Sequence, residues 1–492
     1  MKKVISLFTV LVTTMVLLVS VASAQSNLPG GGWWSGEQVQ NVGTADATVI
    51  VTAYDKSSTN TYTAQQTIAP GAAYTFVPDS FTGMPSGFQG SAVVSSDQPI
   101  KAIVNVTNRQ SGSYGVTGGK AAAQYQGIDS SMVANTLYFP LAKGNHFNKT
   151  TTFYIQNAGT SAATATATFR MRNGDVHVYT TPSIGPNQMV VFSVLDAPTY
   201  NPNNPNNNAR VGGLEVTSSQ PLAGVVMEHY TTENPATIAQ STRGFTSADF
   251  DTTAYAPVIK HNRFGRFTGI QVQNVSSGPI NITVTYLGSA GACAGNTYTD
   301  SATNVPSGAS YTFVQYEGST NLPANCTASA TIVGTGNIVA IVNESYRSDS
   351  IPASGQSAVT SSALPAHSAT TKISVPLFKD DRLGKRTGLQ IQNVGTVQAT
   401  NIVATFACSG AATFTAVSKP QTVAAGGAVL FYTPSDDPGM FTTANPFSSN
   451  NVNCAVTVTS DQPVVAIANE SVIPGGALQQ DSNNYEGFNL TP

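Results

Sequence analysis

The sequence contains very little charge. Asp, Glu, Lys and Arg together make up 10% of its 492 residues, whereas soluble domains average about 25%. The formal net charge is −3, so long-range attraction to nucleic acid or to an anionic membrane is not expected. The surface must therefore be covered mainly by Thr, Ser, Asn, Gln and Gly, which bind water without carrying charge.

Motifs that hold a metal, a nucleotide or a catalytic nucleophile are also missing. The five His show no H-E-x-x-H or other paired spacing, which disfavours zinc. No G-x-S-x-G elbow, P-loop or dinucleotide fingerprint is present. Asp249 and Asp251 offer the oxygen ligands that Ca²⁺ uses, but they lack a dense D-x-D-x-D-G loop. The sequence therefore predicts no catalytic residues, no metal site, no cofactor and no enzymatic activity.

Long apolar runs are confined to the N-terminus. Lys2 and Lys3 precede an apolar stretch over residues 4–21, and the small residues Ala22-Ser23-Ala24 follow it. This pattern predicts a cleavable signal peptide over residues 1–24 and a mature chain from Gln25. No later run reaches the roughly 20 residues that a membrane-spanning helix needs. We expect an exported protein, extracellular or at the cell surface, without a membrane span.

A fourfold repeat fills the rest of the chain. A Gln-Asn pair recurs, at intervals of 116, 117 and 119 residues, at Gln40-Asn41, Gln156-Asn157, Gln273-Asn274 and Gln392-Asn393. Other landmarks keep step: a Pro sixteen residues before the Gln in three copies, a turn and strand after it, and a closing strand pair. The pattern predicts four tandem units over residues 25–128, 129–248, 249–368 and 369–492, the last with a C-terminal tail.

Each unit shows the period-two alternation of half-buried strands. Apolar and polar residues alternate in INITVTYL, for example, from Ile280 to Leu287, so one face of the strand is expected to be buried. A Gly follows each Gln-Asn pair and is expected to supply a permissive turn backbone. Short strands, frequent turn signals and no helical segment are typical of an antiparallel sandwich, so the predicted fold class is all-β.

One strand–turn–strand pattern, N-x-G-x-x-x-A-x-x-x-V-x-Y followed by a P-G turn, extends this interpretation. It resembles the bacterial immunoglobulin-like sandwich domains that occur in tandem in secreted and cell-surface proteins. The resemblance implies four immunoglobulin-like antiparallel β-sandwich domains after the signal peptide. It rests on strand and turn residues and therefore implies nothing about a reaction.

Cysteine is absent from the first two units. Cys293 and Cys326 belong to the third unit, and Cys408 and Cys454 belong to the fourth. In an exported protein this distribution predicts one disulfide inside each of these two units. A metal or redox pair, the alternative, would need a C-x-x-C spacing or a nearby His.

Basic residues cluster in the loop after the recurring Pro of the second, third and fourth units. The nine residues are Lys143, Lys149, Lys260, Arg263, Arg266, Lys379, Arg382, Lys385 and Arg386. If the units stack in one sense, these loops form a row able to bind an anionic polysaccharide or cell-wall polymer. The alternative is a solvated hairpin tip. Three acidic residues, Glu228, Glu344 and Glu470, share one position near the end of the last strand, which predicts a shared edge or hinge contact.

The two ends of the mature chain suggest further contacts. Trp33 and Trp34 are candidates for stacking on a sugar ring, although covering the base of the first unit, which lacks a full opening strand, is the favoured role. The C-terminal tail resembles the start of the first connector. It could add as a strand to the first unit of another copy and give head-to-tail assembly, or it could be a loose end.

The sequence therefore predicts an exported, non-enzymatic structural or interaction protein of the cell surface or extracellular matrix, with self-assembly as one option. The alternative function is a glycan- or cell-wall-polymer-binding adhesin that uses the repeated basic loops. The expected partners are a second copy of the chain or a surface polysaccharide, and not nucleic acid.

Overall fold

The computed structural model describes residues 14–18, 28–233, 237–315, 322–347, 357–382, 384–432, 440–442, 451–472 and 482–490. Most of the predicted signal peptide lies outside these ranges. Within them the regular structure consists of β-strands and a few short 3-10 turns, with no α-helix. The short 3-10 turns span Pro78–Ser80, Ser130–Met132, Val194–Asp196, Asn207–Arg210, Ser247–Asp249 and Ala366–Ser368.

The strands pair in sets that follow one another along the chain. The first set is β1 Thr14–Leu18, β2 Trp34–Asn41, β3 Ala47–Asp55, β4 Thr61–Ile68, β5 Ala73–Phe76, β6 Gly90–Ser96, β7 Ile100–Thr107, β8 Ala122–Gln126 and β9 Ile128–Asp129. The second set is β10 Ala134–Lys143, β11 Lys149–Asn157, β12 Ala165–Met171, β13 Val176–Thr180, β14 Met189–Phe192, β15 Val211–Tyr230 and β16 Ala239–Arg243.

The third and fourth sets resemble each other in the order of their strands. The third is β17 Asp251–His261, β18 Arg266–Asn274, β19 Ile280–Gly291, β20 Thr297–Val305, β21 Ser310–Val314, β22 Cys326–Tyr346, β23 Ala358–Ser362 and β24 Leu364–Pro365. The fourth is β25 Thr370–Asp380, β26 Lys385–Asn393, β27 Ala399–Gly410, β28 Phe414–Val417, β29 Gln421–Val423, β30 Ala428–Phe431, β31 Val452–Val472, β32 Asn483–Glu486 and β33 Phe488–Asn489. They differ in that two short strands, β28 and β29, stand in the fourth set where β20 stands in the third. All of the pairings are antiparallel.

One long strand connects the two sheet portions of each later unit. In the second unit, the first half of β15 pairs with β12 and β10, and its second half pairs with β11 and β16. The closing strand pair predicted from the sequence is therefore wrong for the second, third and fourth units, where the single strands β15, β22 and β31 take its place. In the first unit, the same element is split into β6 and β7 at this point.

The recurring Asn ties two turns of its own unit together. Asn41, Asn157, Asn274 and Asn393 are all fully buried. Each donates from Nδ2 to two backbone carbonyls at 2.7–2.9 Å and accepts a backbone N–H through Oδ1 at 2.8–3.0 Å. The Asn of the Gln-Asn repeat is thus explained by the need to satisfy buried backbone groups.

The Gly after this pair has a different reason than the one expected. Gly43 and Gly395 do not have a positive φ. A Cβ on Gly43 would lie 2.8 Å from Oε1 of Gln98, and one on Gly395 would lie 2.6 Å from Oε1 of Gln462. A side chain at these positions would therefore require the end of the Gln in the Q-P turn to move, and a positive φ is not the reason for Gly here.

Both predicted disulfides are confirmed. Cys293 is bonded to Cys326 and Cys408 to Cys454. All four residues lie in the buried cores of the third and fourth units, next to the inward-facing Val and Ile residues of β19, β22, β27 and β31.

Reduction of the two disulfides is expected to destabilise the third and fourth units selectively. The closed loops of 33 and 46 residues correspond to roughly 3–4 kcal/mol each on the chain-entropy model. Hydrogen exchange with and without reductant measures the effect, and β11 and β15 of the cysteine-free second unit serve as the internal reference. Equal acceleration in all units would contradict this assignment.

Both ends of the chain complete sheets of their own unit. Residues 14–18, inside the predicted signal peptide, form β1 between β6 and β9. The C-terminal tail forms β32, which pairs with β31, and β33, which pairs with β25. The tail is therefore the closing strand of the fourth unit and is not a spare strand for another copy.

Candidate functional site

Most of the predicted polyanion-binding residues are used in ion pairs inside their own units. The pairs are Lys143 and Lys149 with Glu228, Lys260 and Arg266 with Glu344, and Lys379 and Lys385 with Glu470, at N···O distances of 2.6–3.4 Å. The three Glu residues are 4–8% exposed. These six cations therefore do not form a solvent-facing row, and the shared Glu is the partner that the sequence analysis did not identify.

Local strand geometry brings each of these clusters together. In the second unit, Lys143 ends β10 and Lys149 begins β11, so the hairpin between them places both ammonium groups on one side. The register of β11 with β15 sets Glu228 opposite Thr151. In the first unit, Val106 occupies the position of the Glu, and no equivalent basic hairpin precedes it.

The paired cations keep these buried carboxylates ionised. Burial opposes ionisation of Glu228, but the neighbouring Lys143 and Lys149 outweigh this effect and lower its pKa to about 2. For Glu470, Lys385 and Lys379 likewise overcome burial and lower the pKa to about 2. The pKa of Glu344 is lowered in the same way by Lys260 and Arg266. Each cluster thus consists of one buried carboxylate and two cations. Removing one member of a cluster leaves a charge on the others without its partner.

Acid is expected to weaken the second and fourth units through these carboxylates. A carboxyl whose pKa is lower in the folded state contributes stability above its unfolded pKa of about 4.5, and this stability is lost as the pH falls through about 2. The free energy of unfolding should therefore fall between pH 4.5 and pH 2. Unfolding measured across this range should show a shallower loss for Glu228→Gln and Glu470→Gln, while exposed Asp46→Asn should keep the wild-type slope.

The remaining three basic residues stay close to the hairpin tips. Arg386 pairs with Asp381 of its own hairpin. Arg263 donates to Oδ1 of Asn325 at 2.6 Å, and its guanidinium lies 4.4 Å from the ring centre of Phe264. Arg382 donates to Oδ1 of Asn451 at 3.5 Å. Arg263 and Arg382 are therefore held by neutral side chains.

The hairpins of the second and third units each end in a two-residue loop that presents an apolar residue. In the second unit the loop is Phe147-Asn148, with φ values of 49° and 58°, and in the third it is Phe264-Gly265, with 54° and 74°. Positive φ at both positions is typical of a type I′ turn, which is unfavourable for a bulky residue such as Phe. Phe147 is 68% exposed and Phe264 is 79% exposed.

The connectors between the units lie at a common centre. Their Ala-, Gly-, Ser- and Gln-rich sequences are typical of extended surface linkers, but β8, β16, β23 and β32 contact one another in cyclic order, including β32 with β8. Hydrogen bonds across this cycle are Ser241 Oγ to Gln124 O at 2.9 Å, Thr360 Oγ1 to Gln240 Oε1 at 3.0 Å, Ser362 N to Glu486 Oε1 at 2.6 Å, and Gln126 Nε2 to Glu486 O at 2.7 Å. The chain therefore closes on itself as a ring.

The Gln of the Gln-Asn repeat joins neighbouring units at two of the boundaries. Gln273 Nε2 donates to Leu214 O of the second unit at 3.3 Å, and Gln392 Nε2 donates to Ala330 O of the third unit at 3.3 Å. Sequence reasoning missed this role. The sequence contained a signal for it: the Gln recurs in all four copies, whereas a solvent-facing strand position accepts any polar residue.

The boundary between the fourth and first units contains a cavity. Gln40 donates to Gly71 O of its own unit at 3.2 Å, and the adjoining cavity of about 390 Å³ is lined by Gln38, Gln40, Lys101, Leu377, Asn453 and Phe488, among others. The Lys101 ammonium lies 5.8 Å from the ring centre of Phe488. The volume falls within the range of small-molecule pockets, and the lining offers amide groups and an ammonium group.

Comparisons with known proteins do not identify a family. No family model and no curated protein matches the chain. A solved structure of Thermotoga maritima 1070 is similar at 14% identity over 23% of this chain and 92% of that one, with a TM-score of 0.19. A tetra-tandem repeat from the extending region of a large adhesion protein is similar at 14% identity over 96% of this chain and 99% of that one, with a TM-score of 0.11. Similarities at these scores carry no argument about function.

The two Trp residues occupy different environments in the first unit. Trp33 is fully buried in its core, and its Nε1 donates to Pro29 O at 2.9 Å. Trp34 is half-buried, donates from Nε1 to Arg109 O at 2.8 Å and lies 5.5 Å, centre to centre, from the ring of Tyr114. Trp33 therefore fills the core of the first unit, and neither face of its ring is accessible to a sugar.

The two carboxylates considered as calcium ligands have other partners. Asp249 is 7% exposed and accepts two hydrogen bonds from Arg243, at 2.9 and 2.6 Å. Asp251 accepts from the backbone and ring of His367, both at 3.0 Å. The two side chains stabilise the junctions on either side of the third unit.

Among the described residues, no helix is long and apolar enough to cross a membrane.

Proposed function

We propose that this chain is an exported, non-enzymatic interaction protein of the cell surface or extracellular matrix. In this proposal residues 25–128, 129–248, 249–368 and 369–492 are four immunoglobulin-like β-sandwich domains. They close into a ring and present the same hairpin tip several times. The observation that carries the proposal is the cyclic contact of the four connector strands.

Ring closure determines how the tips are displayed. Equivalent residues form the contact between the second and third units and between the third and fourth units, because Gln273 and Gln392 reach back in the same way. A contact repeated at these two boundaries relates the second, third and fourth units by similar rotations. The tips that carry Phe147 and Phe264 therefore lie on the same side of the ring. Weak contacts made by several tips at once add up to avidity.

The chemistry of the tips favours binding over catalysis. The buried Glu residues shared by the second, third and fourth units are used in repeated ion pairs, and the exposed aromatic residues Phe147 and Phe264 occupy backbone conformations unfavourable for Phe. Exposed apolar side chains held in this way are typical of contact surfaces. The proposed contact is therefore aromatic and is surrounded by a small amount of positive charge.

An adhesin that binds a glycan or cell-wall polymer is the second candidate. Arg263 and Arg382 favour it, because they lie at the tips and are held by Asn side chains. Their guanidinium groups can bind carboxylate or phosphate groups of a polymer. Such binding would weaken as salt increases.

A binding screen tests both functions. The purified protein is tested on arrays of surface polysaccharides and matrix proteins, together with Phe147→Ser/Phe264→Ser and Arg263→Gln/Arg382→Gln. Loss of about tenfold or more in the Phe variant supports the interaction role, since two contacts of an avid array are removed. Loss in the Arg variant, with strong salt dependence, supports the adhesin. Val176→Ser, at another exposed apolar position of the second unit, is the control; binding that survives both double substitutions contradicts both functions.

A further inference from the structure

The first unit completes its sheet with residues that the predicted export step removes. In the third unit, the opening strand β17 pairs with the long strand β22 on one side and with the short strand β24 on the other. In the fourth unit, β25 lies in the same way between β31 and β33. In the second unit, Tyr138 of β10 exchanges two backbone hydrogen bonds with Phe245 at 2.8 and 2.9 Å. An opening strand at this position is thus common to all of these units.

In the first unit, β1 takes this position. Val16 is paired with Val94 of β6 and with Asp129 of the connector, and Leu17 is paired with Ile128. Residues 14–18 lie upstream of the predicted cleavage site after Ala24. Cleavage therefore removes the strand between β6 and β9 and leaves both of their facing edges unpaired.

Among the described residues of the processed chain, no segment is available to replace it. Only Gln25, Ser26 and Asn27 precede Leu28, too few residues for a strand of this length. Residues 28–33 are not in a strand, and Trp33 is fixed in the core. The tail at the other end already forms β32 and β33. Among the described residues, each opening strand of the later units is likewise paired within its own unit.

An open strand position of this kind is a binding site for an extended peptide. Its edges are rows of backbone N–H and C=O groups, which need partners. Val94 and Ile128, which lie on either side of it, are buried in the complete unit. Strand addition satisfies both edges at once and selects side chains at alternate positions.

We propose that the processed chain binds, in the opening-strand position of its first unit between β6 and β9, an extended segment of a different polypeptide. This proposal rests on the export step of the proposed function. The opening strands of the later units show the required chemistry, with buried apolar residues at alternate positions: Leu137 and Phe139 in β10, and Ile373 and Val375 in β25. The partner segment is therefore a strand with apolar residues at alternate positions.

Hydrogen exchange on the processed protein, residues 25–492, tests the proposal. The probe is a peptide of residues 134–143, ANTLYFPLAK, and the control is the same peptide with Leu137→Asp and Phe139→Asp. Without peptide, the amides of β6 that face the open position should exchange about 100-fold or more faster than those of residues 214–217 in β15, which β10 protects. The probe should slow them to the rate in β15, and the control peptide should have no effect.

A variant that carries its own strand tests the same position. Residues 131–143 fused in front of Leu28 should fill the position, raise the melting temperature of the first unit and abolish binding of the probe. Slow exchange in β6 without any peptide, or fast exchange that the probe does not change, overturns the proposal. A dimer of the processed chain in sedimentation that protects β6 overturns it in favour of a second copy.

Cleavage of the signal peptide is measured separately. Mass spectrometry of the exported protein should show an N-terminus at Gln25. Retention of residues 14–18 overturns the strand-binding proposal, because the position is then filled by the chain itself. That result leaves the binding screen of the hairpin tips unaffected, so the two failures can be distinguished.

Discussion

Replacing Glu344 with Ala is expected to destabilise the third unit by about 3–5 kcal/mol, because two partly buried cations lose their common buried partner. Lys260 Nζ lies 2.8 Å and Arg266 Nη1 3.1 Å from the Glu344 carboxylate. Arg266 also donates to Oγ of Ser357 at 3.2 Å and to Oγ of Ser482 at 3.4 Å. The loss should therefore extend to the contact between the third and fourth units.

Hydrogen exchange in β18 and β22 measures this effect within the intact protein. The matched control removes the whole cluster at once, with Lys260→Met, Arg266→Met and Glu344→Leu. Replacement of a complete buried ion cluster by apolar residues is often neutral or stabilising, so the triple variant should regain most of the stability. A single variant as stable as wild type would show that the cluster is solvated and does not behave as a buried charge.

Replacing Asn393 with Ala is the second large effect expected, with a loss of about 3–5 kcal/mol in the fourth unit. The side chain is fully buried and makes hydrogen bonds of 2.9, 2.9 and 3.0 Å to the backbone of residues 397, 423 and 395. Its removal leaves two buried carbonyl groups and one N–H group without this partner, at about 1–3 kcal/mol for each group that water does not reach.

The exposed Asn401, in β27 of the same unit, is the matched control, and Asn401→Ala should change the unfolding free energy by less than about 0.5 kcal/mol. Chemical denaturation followed by exchange in β26 and β27 distinguishes the two variants. Equal stability of both would contradict the role assigned to the recurring Asn.

The strands and disulfides of this protein could be predicted because their signals are local. Alternation in INITVTYL needs only neighbouring residues, and β19 indeed buries Ile280, Ile282, Val284 and Tyr286. The Cys pairs follow from their distribution over two units. The continuous β15 was missed because Pro221 indicates a turn, whereas the strand passes from one sheet portion to the other at this residue.

The contacts between distant residues could not be predicted from one sequence. The basic loops and the shared Glu were both recognised, but Lys143 and Glu228 are 85 residues apart, and only the register of β11 with β15 brings them together. The ring depends on connectors separated by whole units. Their Ala, Ser and Gln residues are typical of extended linkers. Each connector nevertheless pairs with a strand of its own unit, which is β7, β15, β22 or β31, and packs against the neighbouring connectors.

Small-angle X-ray scattering of the processed protein tests ring closure most directly. A compact chain of about 468 residues has a radius of gyration of about 23 Å, and a closed ring should lie close to this value. Four units of about 13 Å placed end to end would give roughly 40 Å. A radius near 23 Å that stays the same on dilution supports the ring, and a radius near 40 Å would contradict it.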